Sequence, residues 1–248
     1  MSQPKKSKFI FERDVLVQKF LNPISKLVDN VVVNLQPNLA STVCSSVDGA
    51  VVLLINLKTE IDIENTIKIN LQDIKKFVRL LDCIDANSIE LELADNHLKY
   101  HTKNFKFKYF LLEDGYIQKC PVNPDKINQL KFDTEFDISI QKFNEIMKGC
   151  TITNDSDKLY IYTKDNEVYA ELNDFERQNI NSLTYNIAES FVGERITPFA
   201  LNLESIRLIS GIKTDIIKIK VNNDMKISMF EITDEAISAK FIISALVK

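Results

Sequence analysis

The feature that most constrains this chain is that one pattern of elements runs through it twice. The first pass opens with a strand at 9–11 and a helix at 14–28, which Asp14 is placed to N-cap and which buries Val17, Phe20, Leu21, Ile24 and Val28. Pro23 inside that helix predicts a kink or a split. Strands are predicted at 31–35, 40–47 and 50–57, with Asp48-Gly49 as a two-residue hairpin turn. A strand at 66–70, a helix at 71–84 and strands at 88–94, 98–102 and 105–112 complete the pass. The second pass predicts a strand at 130–137, a helix at 140–148 and a hairpin at 158–163 and 168–173 turned at Asp165-Asn166. Strands at 182–188 and 197–201, a helix at 203–212 and strands at 216–221, 226–232 and 237–245 follow. Residues match at corresponding places. Gln18-Lys19-Phe20 returns as Gln141-Lys142-Phe143, Asn70-Leu71 as Asn202-Leu203, and Ile74 as Ile206. The shared order makes this a duplication.

The break between the copies lies at 114–129, where Asp114-Gly115, Pro121 and Pro124 interrupt polar sequence. The reading is therefore a tail at 1–8, a first domain at 9–113, a connector at 114–129 and a second domain at 130–248. The tail is polar and basic with no apolar stretch behind it, unlike a secretory signal. No apolar run reaches the ~20 residues that span a bilayer. The four cysteines, Cys44, Cys83, Cys120 and Cys150, form no CxxC pair and read as reduced thiols of an intracellular protein.

Catalytic signatures are missing. The five glycines stand far apart, which excludes a phosphate-cradling loop and a dinucleotide fingerprint. His97 and His101, four apart on one predicted strand, are either a potential ligand pair or an exposed hairpin pair, and no Cys or carboxylate cluster completes a metal site. There is no nucleophile elbow and no HExxH helix. The expectation is a protein without catalysis, cofactor or metal.

The net charge of −4 is unevenly spread. The four predicted helices, counted over 14–28, 71–83, 139–149 and 203–213, hold nine basic and five acidic residues, leaving −8 for the remainder. In the helix at 71–84, Ile74, Phe77, Val78 and Leu81 form the core stripe, and Gln72, Lys75, Lys76 and Arg79 lie opposite. The helix at 140–148 is read as burying Ile140, Phe143, Ile146 and Met147 and exposing Gln141, Lys142, Glu145 and Lys148. Such faces are either ordinary solvated surface or, repeated over four helices, a surface for loose contact with phosphates without base readout.

These residues resemble the DNA polymerase sliding clamps, the family of proliferating-cell nuclear antigen, and most closely the trimeric clamps of tailed phages. The resemblance runs from about Phe9 and rests on Val33-Asn34-Leu35-Gln36, Ile69-Asn70-Leu71, Ile89-Glu90-Leu91 with Asp95-Asn96, and the closing Ala239-Lys240-Phe241-Ile242-Ile243. It implies an α+β fold of two similar domains, each with two helices on antiparallel sheets, and a head-to-tail homotrimeric ring around duplex DNA. It further implies a processivity factor served by a DNA polymerase and a clamp-loader ATPase, working on DNA in the cytoplasm, of an infected host if the chain is viral. Carried onto this sequence, Lys19, Lys26, Lys75, Lys76, Arg79, Lys142, Lys148, Arg207 and Lys213 would face DNA. Lys26 would depend on how Pro23 turns the last helical turn. Ile117, Ile242, Ala245 and Leu246 would form a pocket for partner peptides, or else serve ordinary packing. Phe105, Phe107, Tyr109, Leu183 and Tyr185 would lie on the subunit-interface strands, whose edges no later strand covers and which would pair with another chain. The other reading is a viral structural or assembly protein with duplicated β-rich domains.

Overall fold

The structure is a computed structural model and describes residues 7–60, 63–152, 156–177, 179–212 and 214–246. The chain divides into two compact units. The first takes the chain up to Ser46, Leu53–Pro124 and Asp234–Ala239; the second takes Val47–Val52, Asp125–Thr233 and Lys240 onward. The main crossing, after Pro124, falls inside the predicted connector. The two short exchanged pieces are invisible to a linear division of the sequence.

The first unit contains β1 (Ser7–Glu12), a π-helical segment (Val15–Leu21), α1 (Asn22–Leu27), β2 (Val31–Gln36), β3 (Leu39–Ser45), β4 (Val51–Lys58) and β5 (Ile67–Leu71). It continues with α2 (Ile74–Asp82), β6 (Ser88–Ala94), β7 (His97–His101) and β8 (Lys106–Phe110). Ser7 and Lys8, expected in the tail, are already strand and pair with Leu93 and Glu92 of β6. β1, β6, β7 and β8 form one antiparallel sheet in the order β1-β6-β7-β8. Strict alternation puts Phe9, Phe11, Ile89, Leu91, Leu98, Tyr100 and Tyr109 on its buried face. The helices lie over that face: the Phe77 ring of α2 meets Tyr109 at 4.5 Å between centroids.

The first helix departs from its prediction in an instructive way. Asp14 makes no side-chain cap; its carboxylate pairs with Arg13 at 3.0 Å. Pro23, lacking an N–H, cannot continue a helical ladder, and the chain widens one turn earlier. The Asn22 N–H reaches Val17 C=O five residues back, so Pro23 falls in the first turn of α1, where proline is tolerated. The second helix begins three residues later than Asn70-Leu71 suggested. Those two residues end β5, and Asp73, at φ 41°, caps α2 by accepting the Lys76 N–H at 3.1 Å. The Asp48-Gly49 turn is also longer than a two-residue hairpin, since β3 stops at Ser45 and β4 starts at Val51. Ala50 gives its N–H to the Asp48 carboxylate and its C=O to Ser244, which leaves nothing for the β3 ladder.

The second unit comprises α3 (Pro124–Asn128), β9 (Thr134–Ser139), α4 (Ile140–Gly149), β10 (Lys158–Lys164), β11 (Glu167–Leu172) and β12 (Leu183–Ala188). β13 (Val192–Gly193), β14 (Phe199–Asn202), α5 (Leu203–Arg207), β15 (Ile216–Asn222), β16 (Ile227–Thr233) and β17 (Ile237–Ser244) complete the chain. Its four-stranded sheet runs β12-β11-β10-β14, and β13, β9, β15 and β16 are neighbours in that order in a second sheet. The predicted Asp165-Asn166 turn is present, with φ 51° and 67° matching the paired positive angles of a tight hairpin. The predicted helix at 203–212 stops at Arg207. From Leu208 to Ser210 each N–H bonds the carbonyl three residues back, a tighter winding that still buries Ile209 and Ile212. α3 and β13 were not anticipated. All four cysteines are free, and among the described residues no helix is long and apolar enough to cross a membrane.

Candidate nucleic-acid interface

In the first unit, α2 presents the clearest cationic face. Ile74, Phe77, Val78 and Leu81 are buried, and Lys75, Lys76 and Arg79 are exposed on the other side, as their spacing predicts. The helix start is pinned: the Ile74 N–H bonds Asp29 C=O at 2.8 Å, and the Asp73 N–H bonds the Asn30 side chain at 2.9 Å. That places Lys75 Nζ 3.1 Å from the Asp29 carboxylate. Both partners are well exposed, so the pair is weak and can be exchanged for a phosphate.

Lys19 is held differently. Its Nζ lies 2.5 Å from Asp234 Oδ2, with both side chains about three-quarters covered. Burial pushes the Asp234 carboxyl up. The Lys19 ammonium and the N–H groups of Ile237 and Ala236 outweigh it and hold the carboxyl below the usual carboxylate range. Lys19 is thus a tethered cation, less available to an outside anion than α2's side chains. Lys26 is half-buried near the end of α1.

In the second unit, α4 is capped by Ser139, whose Oγ accepts the Lys142 N–H. Phe143 and Ile146 are buried as predicted, but Ile140 and Met147 are only half-buried. Lys148 is exposed. Lys142 is half-buried and lines a groove of about 430 Å³ with Glu135, Asp137 and Lys218, so carboxylates accompany it. Asn202 caps α5 through the Glu204 N–H, and Arg207 is exposed but paired with Glu204 one turn earlier. Lys213 lies outside the described residues. The exposed cations therefore concentrate on α2 and at the end of α4, while Lys19, Lys142 and Arg207 each have an acidic neighbour that sequence periodicity did not reveal.

The remaining predicted residues fall as follows. Ile117 of the first unit is half-buried. In the second unit Ile242 is buried, Ala245 half-buried and Leu246 more open, with Ala245 and Leu246 N–H groups bonded to Lys226 and Ala200 carbonyls at 2.8 Å. β8 and β12 are both edge strands, each with one hydrogen-bonded neighbour among the described strands. Phe105 and Phe107 are half-buried, and Tyr109 is buried against Phe77 with its hydroxyl raised above the ordinary phenol range, chiefly by that burial. Leu183 and Tyr185 are half-buried; Tyr185 packs its hydroxyl where a Cβ on Gly149 would sit, which explains the glycine ending α4. The side chains of Tyr109 and Tyr185 thus serve their own units, and what the two edges offer outward is backbone and the opposite row of side chains. His97 and His101 share one face of β7. His97 stacks on Phe110 at 5.4 Å and takes part in a 3.0 Å hydrogen bond with Asn96, and burial, then Lys99 and Lys108, holds its imidazole below the usual value. Among the described residues there is no cluster of three metal-ligating side chains.

Sequence reasoning missed two polar anchors. Asn70 donates to Leu112 C=O at 3.1 Å and Asp114 Oδ1 at 2.8 Å, tying β5 to the start of the connector. Lys158 sits 2.8 Å from the buried Asp174 and 3.0 Å from Glu176, ordering the loop after β11.

No family model matches the chain, and no curated protein matches it. Solved structures do. The chain is similar to A. fulgidus PCNA, solved with the C-terminal region of FEN-1 bound, at a TM-score of 0.80 and 13% identity over 98% of this chain and 99% of that one. It is similar to proliferating cellular nuclear antigen from Entamoeba histolytica, at a TM-score of 0.76 and 16% identity over 98% of both chains. It also matches the DNA polymerase III beta subunit of Thermotoga maritima, at 0.74 and 14% identity over 100% of this chain and 67% of that one. Over nearly its whole length, this chain has the α+β fold of the sliding clamps.

Proposed function

We propose that the chain is a processivity clamp, a closed ring of identical subunits that encircles duplex DNA and tethers a DNA polymerase, with no chemistry of its own. The observation that carries this reading is the row of exposed cations on α2, Lys75, Lys76 and Arg79, on a helix of a fold shared with proliferating-cell nuclear antigens. Lys148 on α4 repeats it in the second unit. A few uncompensated lysines without interleaved aromatics suit contact with phosphates through counterion release, not base recognition. In a ring, topology keeps the protein on DNA, so each contact can stay weak and sliding stays easy. Lys19, Lys26, Lys142, Arg207 and Lys213 would be secondary contributors. The ring would be a homotrimer, opened by a loader ATPase, and partner peptides would bind beside the end of β17, near Ile242, Ala245 and Leu246, with Ile117 the matching position of the connector. Its place of action would be on replicating DNA, in an infected cell if the chain is viral.

The test is topological. Protein loaded on nicked circular DNA should co-elute with it at moderate salt and be lost once the circle is cut. Equal retention on circular and linear DNA would sink the clamp reading.

A further inference from the structure

Lysines are concentrated on one outer hairpin of the first unit. From His97 to Phe110 the chain carries Lys99, Lys103, Lys106 and Lys108 and no Asp or Glu. Lys99 lies 4.0 Å from Glu92, whereas Lys103, Lys106 and Lys108 enter no ion pair among the described residues. On the edge strand β8, Lys106, Lys108 and Phe110 all project away from the buried Tyr109, and Phe110 is 54% exposed. Such a row on an open edge deters pairing of the edge with a copy of itself.

The edge strand of the second unit has the opposite character. β12 exposes only the short polar Thr184 and Asn186 outward, and behind them, in register on β11, stand Glu171 and Tyr169. Glu171 accepts hydrogen bonds from Tyr162 at 3.1 Å and Asn173 at 2.7 Å, and Glu167 accepts one from Tyr169 at 2.5 Å. Both carboxylates are thereby oriented by neutral donors, with no cation paired to either among the described residues. Glu189, just beyond β12, is exposed on the same side of the chain sequence.

We infer that the outer face beside β12 is the docking surface for the lysine-bearing β8 edge of a second copy, with Lys106 and Lys108 answering Glu167 and Glu171. This rests on the ring reading given above. If β8 adds to β12, it lies two strand spacings, about 10 Å, from β11. A lysine and a glutamate side chain bridge that gap together across Thr184 and Asn186. Like charges oppose β8 against β8 and β12 against β12, so the pairs set the head-to-tail direction of assembly as well as adding to its strength.

Charge reversal tests it in the full-length chain, by native mass and sedimentation over a range of protein and salt concentrations. Lys106→Glu with Lys108→Glu should raise the subunit dissociation constant by about a hundredfold or more at low salt, with unfolding midpoints unchanged. Glu167→Lys with Glu171→Lys should do the same, and all four changes in one chain should restore the ring. Lys106→Gln with Lys108→Gln should give a smaller loss. A ring that persists in the Lys→Glu variant with unchanged salt dependence overturns this inference and leaves the clamp reading standing. Reduced DNA retention at unchanged mass would also overturn it, assigning these lysines to nucleic acid. A wild-type chain that is monomeric at every concentration would instead overturn the ring itself.

Discussion

Asp73 shows how much can rest on one residue. Its φ of 41° is a left-handed conformation that a short polar side chain tolerates, and its carboxylate at once caps α2. The sequence shows an Asp ahead of an apolar stripe, but not that Asn70-Leu71 belongs to the preceding strand; only the ladder to Val31 and Val32 settles that. Asp234 is less legible still, because its partner Lys19 is 215 residues away. Asp234 has a carboxyl pKa depressed in the folded state. It therefore adds stability that is complete above the unfolded carboxyl value near pH 4 and is lost as pH falls through the folded value. Asp234→Asn should cost on the order of 1–2 kcal/mol in urea unfolding at pH 7, with the gap from wild type closing toward pH 3. A gap that stays constant across that range would show that the carboxylate's charge is not its source.

At the level of elements, periodicity served where one face is buried and one is wet. β6, β7 and α2 alternate cleanly and were readable. The π-helical segment was not, since its cause, a proline tolerated by widening the turn before it, leaves the apolar spacing intact. α3, with 5 residues, and β13, with 2, are too short to show a period at all. The helix faces were legible as charge but not as availability. α2 keeps its cations exposed, whereas α5 holds Arg207 against Glu204. Lys75→Glu with Arg79→Glu should accordingly weaken DNA association and flatten its dependence on salt by about one unit of slope for each phosphate contact removed. Arg207→Glu should do much less. A salt slope unchanged in the α2 variant would remove that face from the DNA contact.

For the molecule as a whole, the repeated order of elements carried the fold, and 13–16% identity to solved clamps shows how little of it depends on particular residues. What the order could not show is the exchange of Val47–Val52 and Asp234–Ala239 between units, because such exchange follows from long-range strand pairing and leaves no composition signal. Function was legible only as a distribution of charge, and the structure sharpens that distribution by showing which cations already have acidic neighbours.

The unlike edges β8 and β12 also make the assembly sensitive to parity. Subunits reversed at Lys106 and Lys108 and subunits reversed at Glu167 and Glu171 should each be repelled by their own kind and accepted by the other. Mixed together they must alternate, and alternation closes only around an even number of places. A three-membered ring would be left with one junction of like sign, so the mixture should stall as open chains or move to an even count, while the same four changes in a single chain close without conflict.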